Sequence, residues 1–157
     1  MLLIVDDDED DLYFLRSAFT NDDLQVLTAR DARGAFEILA RAPVGVVISD
    51  ESMPGLNGVD FLSHVKDLYP DTVRILLSGH VDVGVLLGAI NDGAIYKFFP
   101  KPWNESALRG RVRDAFQMRE RAAQNALLTR DLDDKRAELA RLEIEIKRLR
   151  ADAGRNR

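Results

Sequence analysis

Over the first 118 residues the hydrophobic and polar positions alternate between two rhythms, short unbroken apolar runs and apolar residues recurring every three or four positions. The runs predict strands near residues 2–5, 24–28, 44–49, 74–78 and 95–99. Between them, Leu12, Leu15, Ala18 and Phe19 mark a first helix, Ala32, Ala35, Phe36 and Leu39 a second, and Val59, Leu62, Val65 and Leu68 a third. A fourth helix, about 81–91, contains Gly84 and Gly88. Each glycine costs about 1 kcal/mol relative to alanine in a helix interior, so this helix is expected to be the loosest. A fifth begins after Trp103, with Asn104 placed to cap it and Glu105 suited to its first turn. Alternating strands and helices predict an α/β fold, doubly wound around a parallel sheet. Helices on both faces explain why Val46-Val47-Ile48 shows no polar alternation.

From about residue 119 glycine and proline vanish until Gly154, and Arg, Glu, Asp, Leu and Ala dominate. This pattern predicts one helix continuous with the fifth, and the domain division is 1–118, a coiled-coil helix over 119–152, and a disordered tail over 153–157. A helix of roughly 45 residues from Asn104 would extend on the order of 65 Å. Taking Leu132, Leu139 and Ile146 as heptad a positions makes Leu128, Lys135, Leu142 and Leu149 the d positions. Across a parallel dimer, Asp131 would pair with Arg136 and Glu145 with Arg150, while Glu138 would face Glu143. The expectation is a homodimer through this helix.

The chemistry collects where strands end. The first run ends in Asp6-Asp7-Asp8, the third in Asp50, the fourth in Ser78, and the fifth in Pro100-Lys101-Pro102. In doubly wound folds ligands bind outside the carboxyl ends of the strands. Three carboxylates around one point conflict unless a cation joins them, and Mg2+ suits oxygen donors with retained waters. A backbone carbonyl near Ser52 completes such a set. Asp50 is the candidate nucleophile for an aspartyl phosphate, with Lys101 and Ser78 reaching phosphoryl oxygens. Pro102 disfavours helix at Lys101 and helps hold its ammonium at the strand end. Met53-Pro54-Gly55 reads as a turn.

The order Asp6-Asp7, Asp50-Glu51-Ser52-Met53-Pro54-Gly55-Leu56-Asn57-Gly58, Ser78-Gly79 and Lys101-Pro102 resembles the receiver domain of two-component response regulators, over roughly residues 1–118. The resemblance implies a five-stranded sheet of order 2-1-3-4-5 and phosphorylation of Asp50 by a histidine kinase or phosphotransfer protein. Autodephosphorylation is implied as well, rather than conventional enzymatic turnover. It also implies Asp6 and Asp7 as the Mg2+ pair together with Asp50, the Ser52 carbonyl as a further ligand, Ser78 as switch hydroxyl, Lys101 as the lysine of the pattern, and Phe98 as aromatic switch. Side chains at Ser52 and His80 would flank the in-line path of water. His64 and His80 receive no role of their own.

Composition narrows the class further. The chain has 157 residues, 46% hydrophobic and 31% charged, enough for one core with residues left over. Its net charge of -5 speaks against general affinity for nucleic acid or anionic membranes. No cysteine is present, so thiol chemistry and disulfides are excluded, and a cytoplasmic location is the expectation. Two other readings stand beside the phosphorylated switch. One is a nonphosphorylated scaffold that keeps the receiver shape, against which the complete acid, hydroxyl and amine set counts. The other is a phosphatase, for which no substrate pocket or cap insertion is evident.

Overall fold

The computed structural model describes residues 1–79 and 82–155. Its elements run β1 (Leu2–Val5), α1 (Glu9–Ala18), β2 (Val26–Ala29), α2 (Ala32–Leu39), β3 (Val46–Asp50), α3 (Gly58–Leu68), β4 (Val73–Ser78), α4 (Val83–Asn91), β5 (Lys97–Pro100) and α5 (Glu105–Arg155). The five strands form one parallel sheet in the order β2-β1-β3-β4-β5, the doubly wound arrangement expected from the sequence. The chain divides into two units, Met1–Arg119 and Glu120–Arg157.

In the first unit, successive strand residues point to opposite faces, and each face has its own helices. Leu3, Val5, Val47 and Leu76 pack with Ala35 and Leu39 of α2 and Phe61, Leu62 and Val65 of α3. Their neighbours Leu2, Ile4, Val46, Ile48, Ile75 and Leu77 pack on the other side with Leu12 and Leu15 of α1 and Leu108, Val112 and Ala115 of α5. Full burial of one such side chain stabilises by about 1.5–3 kcal/mol, so both faces contribute to fixing the register. That register sets Val5 beside Ser49, Asp50 beside Leu77 and Ser78 beside Pro100, which brings the polar strand ends to one edge.

The helix starts follow from local chemistry. Asp8 caps α1 by accepting from the N–H groups of Asp10 and Asp11, Asp31 caps α2, Asn57 caps α3, and Asp82 caps α4. Asn104 caps α5 as expected, its Oδ1 accepting from the Ala107 N–H at 2.8 Å.

Several boundaries differ from the sequence reading. The last strand starts at Lys97 rather than residue 95, because the N–H groups of Ala94 and Ile95 both donate to the Ala89 carbonyl and close the end of α4. The Arg74 side chain holds this turn, donating to the carbonyls of Ala94 at 2.9 Å and Gly93 at 3.0 Å. Asp50, placed just beyond its strand, is the last residue of β3. The second strand starts at Val26 rather than residue 24, because Leu24 is turned back onto Asp22 by its own N–H.

The fourth helix buries only Ala89, and Val83, Val85, Leu87 and Ile90 are exposed. The second unit is helical from Glu120 to Arg155, past the expected end at 152, and residues 120–151 are all exposed.

Candidate functional site

At the carboxyl edge of the sheet, β1 delivers Asp6 and Asp7, β3 delivers Asp50, β4 delivers Ser78, and the segment after β5 delivers Lys101. Oxygens of Asp6, Asp7 and Asp50 lie within 4.8 Å of one another. Asp6 and Asp50 are buried, at 1% and 5% exposure, while Asp7 is open to solvent. Asp8, the third acid of the run, is occupied in capping α1.

The Lys101 ammonium is central to the charge balance. It lies 2.6 Å from Asp50 Oδ1, 3.1 Å from Asp6 Oδ2 and 2.7 Å from Asp11 Oδ2. Burial disfavours its charge, but the hydrogen bonds to Asp11, Asp50 and Asp6 outweigh burial and hold its pKa above the ordinary lysine value. Asp6 shows the opposite balance. Burial raises its pKa, and neither the Asp8 N–H nor Lys101 fully offsets this, while the nearby Asp50 charge adds to the rise. The Lys101-Pro102 peptide is cis.

Asp50 is aimed by the turn that follows it. Its Oδ2 accepts from the Ser52 N–H at 2.8 Å, and Ser49 Oγ donates to its carbonyl at 2.9 Å. Gly58, the first residue of α3, lies against the same strand end: a Cβ there would stand 2.0 Å from the Asp50 carbonyl oxygen and 2.8 Å from Glu51 Cα. Only glycine fits that approach. Gly55 has φ +85°, the left-handed conformation that the expected Met53-Pro54-Gly55 turn requires.

Ser78 is buried and its Oγ donates to the Glu51 carboxylate. Both border an open cleft of about 550 Å³ that also includes Asp50, Ser52, Gly79 and Lys101. Phe98 is half-buried, packed against the core cluster shared with α3 and α4. His64 is exposed on α3, with its Nδ1 2.7 Å from the Asp60 carbonyl oxygen. His80 lies outside the described residues.

The fold therefore gathers Asp6, Asp7, Asp50 and Lys101 at one point, with Ser52 and Ser78 at its rim and Phe98 in the adjoining core. Sequence reasoning missed two participants. Asp11 stood within the acidic run from Asp6 to Asp11 and carried no signal except its place one helical turn after the cap at Asp8. Glu51 stands in the sequence only as the residue after Asp50, and its bond to Ser78 depends on strand pairing between β3 and β4.

A doubly wound sheet with clustered acids, a hydroxyl and a lysine at its carboxyl edge defines a receiver, and this chain belongs to the response regulator receiver domain family, which it matches over residues 2–113. Its relatives include the hydrogenase transcriptional regulatory protein HoxA of Cupriavidus necator, 37% identical over 116 residues, or 74% of this chain and 24% of HoxA. The response regulator protein TodT of Pseudomonas putida is 30% identical over 146 residues, covering 93% of this chain and 64% of TodT. The chain thus spans about a quarter of HoxA and under two thirds of TodT. Among solved structures, the signal receiver domain of an HD domain-containing protein from Pseudomonas fluorescens Pf-5 superposes with a TM-score of 0.73 at 34% identity, covering 76% of this chain and 95% of that one.

Receiver domains generally bind Mg2+ at an acidic pocket and normally take their phosphoryl group from a histidine kinase. The donor set here fits that ion, since three carboxylates supply hard oxygen ligands within 4.8 Å of one another. No described helix is long and apolar enough to cross a membrane.

Proposed function

We propose that the chain is a phosphorylation-controlled switch in which Asp50 accepts a phosphoryl group from a sensor histidine kinase or phosphotransfer protein. The observation that carries this reading is the Asp50 carboxylate, held by the Ser52 N–H at 2.8 Å and by Lys101 at 2.6 Å beside the oxygens of Asp6 and Asp7. An Asp50 carboxylate oxygen attacks the donor phosphorus as the donor's bond to phosphorus breaks, leaving an acyl phosphate on the side chain. Asp6, Asp7, Asp50 and the Ser52 carbonyl would hold Mg2+, which when bound neutralises charge on the phosphoryl oxygens. Lys101 moves from carboxylate partners to a phosphoryl oxygen, and its high pKa keeps it charged throughout.

Ser78 leaves Glu51 to donate to another phosphoryl oxygen. That movement frees space beside Phe98 and α4, which repack as the output of the switch. Hydrolysis of the acyl phosphate by water resets the site. The helix of the second unit dimerises and carries the signal to an output partner, and the protein acts in the cytoplasm. The names of HoxA and TodT support a regulatory output.

Incubating the full chain with acetyl phosphate and Mg2+ tests the reading by intact mass. One phosphoryl group is expected on the native chain and none on Asp50→Asn. Equal labelling of both would move the acceptor elsewhere, and no labelling of either would leave the nonphosphorylated scaffold as the better description.

A further inference from the structure

The second unit leaves a stripe of large apolar side chains in water. Leu128, Leu132, Leu139, Leu142, Ile146 and Leu149 are 47–62% exposed, and all six fall on the a and d positions of one heptad frame. Only Leu127 and Ile144 of this helix's other large apolar residues lie off that stripe, at c and f. One turn before Leu128, the same frame puts Asn125 at an a position.

We infer that the occupant of this stripe is the same stripe of a second copy, in a parallel, in-register, two-stranded coiled coil whose alignment is set by a layer of paired Asn125 side chains. This inference rests on the dimerisation proposed above and adds its orientation, register and strand number.

The charges decide orientation. Every g position along the apolar stripe is acidic: Asp131, Glu138 and Glu145. In an antiparallel pair, g residues face g residues, so acids would oppose acids in any register. In a parallel pair, g faces the following e of the partner, which gives two attractive contacts, Asp131 to Arg136 and Glu145 to Arg150, against one repulsive contact of Glu138 with Glu143.

The polar layers decide register and number. A buried asparagine at a is satisfied by its own copy across a two-stranded seam. A slip of one heptad would set it against Leu132 and leave a buried amide unpaired. Lys135, the odd residue at d, already leans out of the stripe toward Glu138, with Nζ 3.4 Å from Oε2. Its ammonium can therefore sit at the rim while its methylenes cover the seam.

Because the chain lacks cysteine, single cysteines report on geometry without background. The experiment uses full-length Leu128→Cys and Leu149→Cys proteins, oxidised mildly and compared by nonreducing gel, with sedimentation of the parent chain alongside. Parallel, in-register pairing predicts a parent mass twice 17.6 kDa and self-linked dimers from both variants. A dimer mass with neither variant linking to itself would overturn the orientation while leaving dimerisation intact. A parent of single-chain mass would overturn dimerisation itself, and the phosphoacceptor reading would still be judged separately by labelling at Asp50. Asn125→Ile is expected to give a mixture of dimers and larger assemblies. If that variant stayed a uniform dimer with unchanged cross-linking, Asn125 would not set the alignment.

Discussion

At the scale of single residues, the site is a competition for one ammonium. Lys101 touches three carboxylates, and only Asp50 is the phosphoryl acceptor in the proposed function. The Asp11 contact, at 2.7 Å on a side chain 30% exposed, must loosen before Lys101 reaches a phosphoryl oxygen. Asp11→Asn should therefore speed labelling of Asp50 by acetyl phosphate by about 3- to 10-fold, roughly 1 kcal/mol, which is a charged hydrogen bond discounted for solvent screening. Initial labelling rates for the two proteins decide it, and a slower variant would mean that Asp11 steadies the lysine instead of restraining it. The same residues show what a sequence can announce. Asp6, Asp7, Asp50, Ser78 and Lys101 were legible because each ends or directly follows a strand and a parallel sheet collects such ends. The contacts of Asp11 and Glu51 were not, because they arise from side-chain placement across α1, β3 and β4.

At the scale of elements, α5 is tied to the loop after α1 by an ion pair that no periodicity revealed. Arg109 reaches Asp22 with Nη2 at 2.9 Å and Nε at 3.2 Å, and Arg113 adds a contact at 3.8 Å. The hydrogen bonds from Arg109 outweigh partial burial and hold the Asp22 carboxyl below its ordinary pKa. A depressed carboxyl pKa adds stability that is present above the unfolded value, near 3.9, and is lost as pH falls through the lower folded value. Asp22→Asn should lower the melting temperature by about 2–5 °C at pH 7, and the gap to the parent should close as pH drops below about 4. A gap that persists in acid would assign the loss to packing. Element types were legible throughout the first unit because strand and helix periods are distinct there. Their ends were less so, since Arg74 recruits Gly93 and Ala94 into a turn that the apolar run through Ile95 concealed.

At the scale of the whole molecule, the two units differ in what stabilises them. Residues 1–119 carry both core clusters, whereas residues 120–151 bury nothing within one chain. A chain ending at Arg119 should keep its thermal unfolding transition and its labelling at Asp50 yet sediment as a monomer. Loss of folding on truncation would show that the first core needs the second unit. The heptad stripe was legible because its spacing is intrinsic to one helix, while the exposure of α4 was not, because Gly84 and Gly88 bear on the strength of that helix and not on which of its apolar side chains meet the core. With Ala89 as its one deeply seated side chain and Val83, Val85, Leu87 and Ile90 already wet, displacing α4 forfeits little apolar contact. The sheet therefore has one neighbour that can change seats while the layers around it stay as they are.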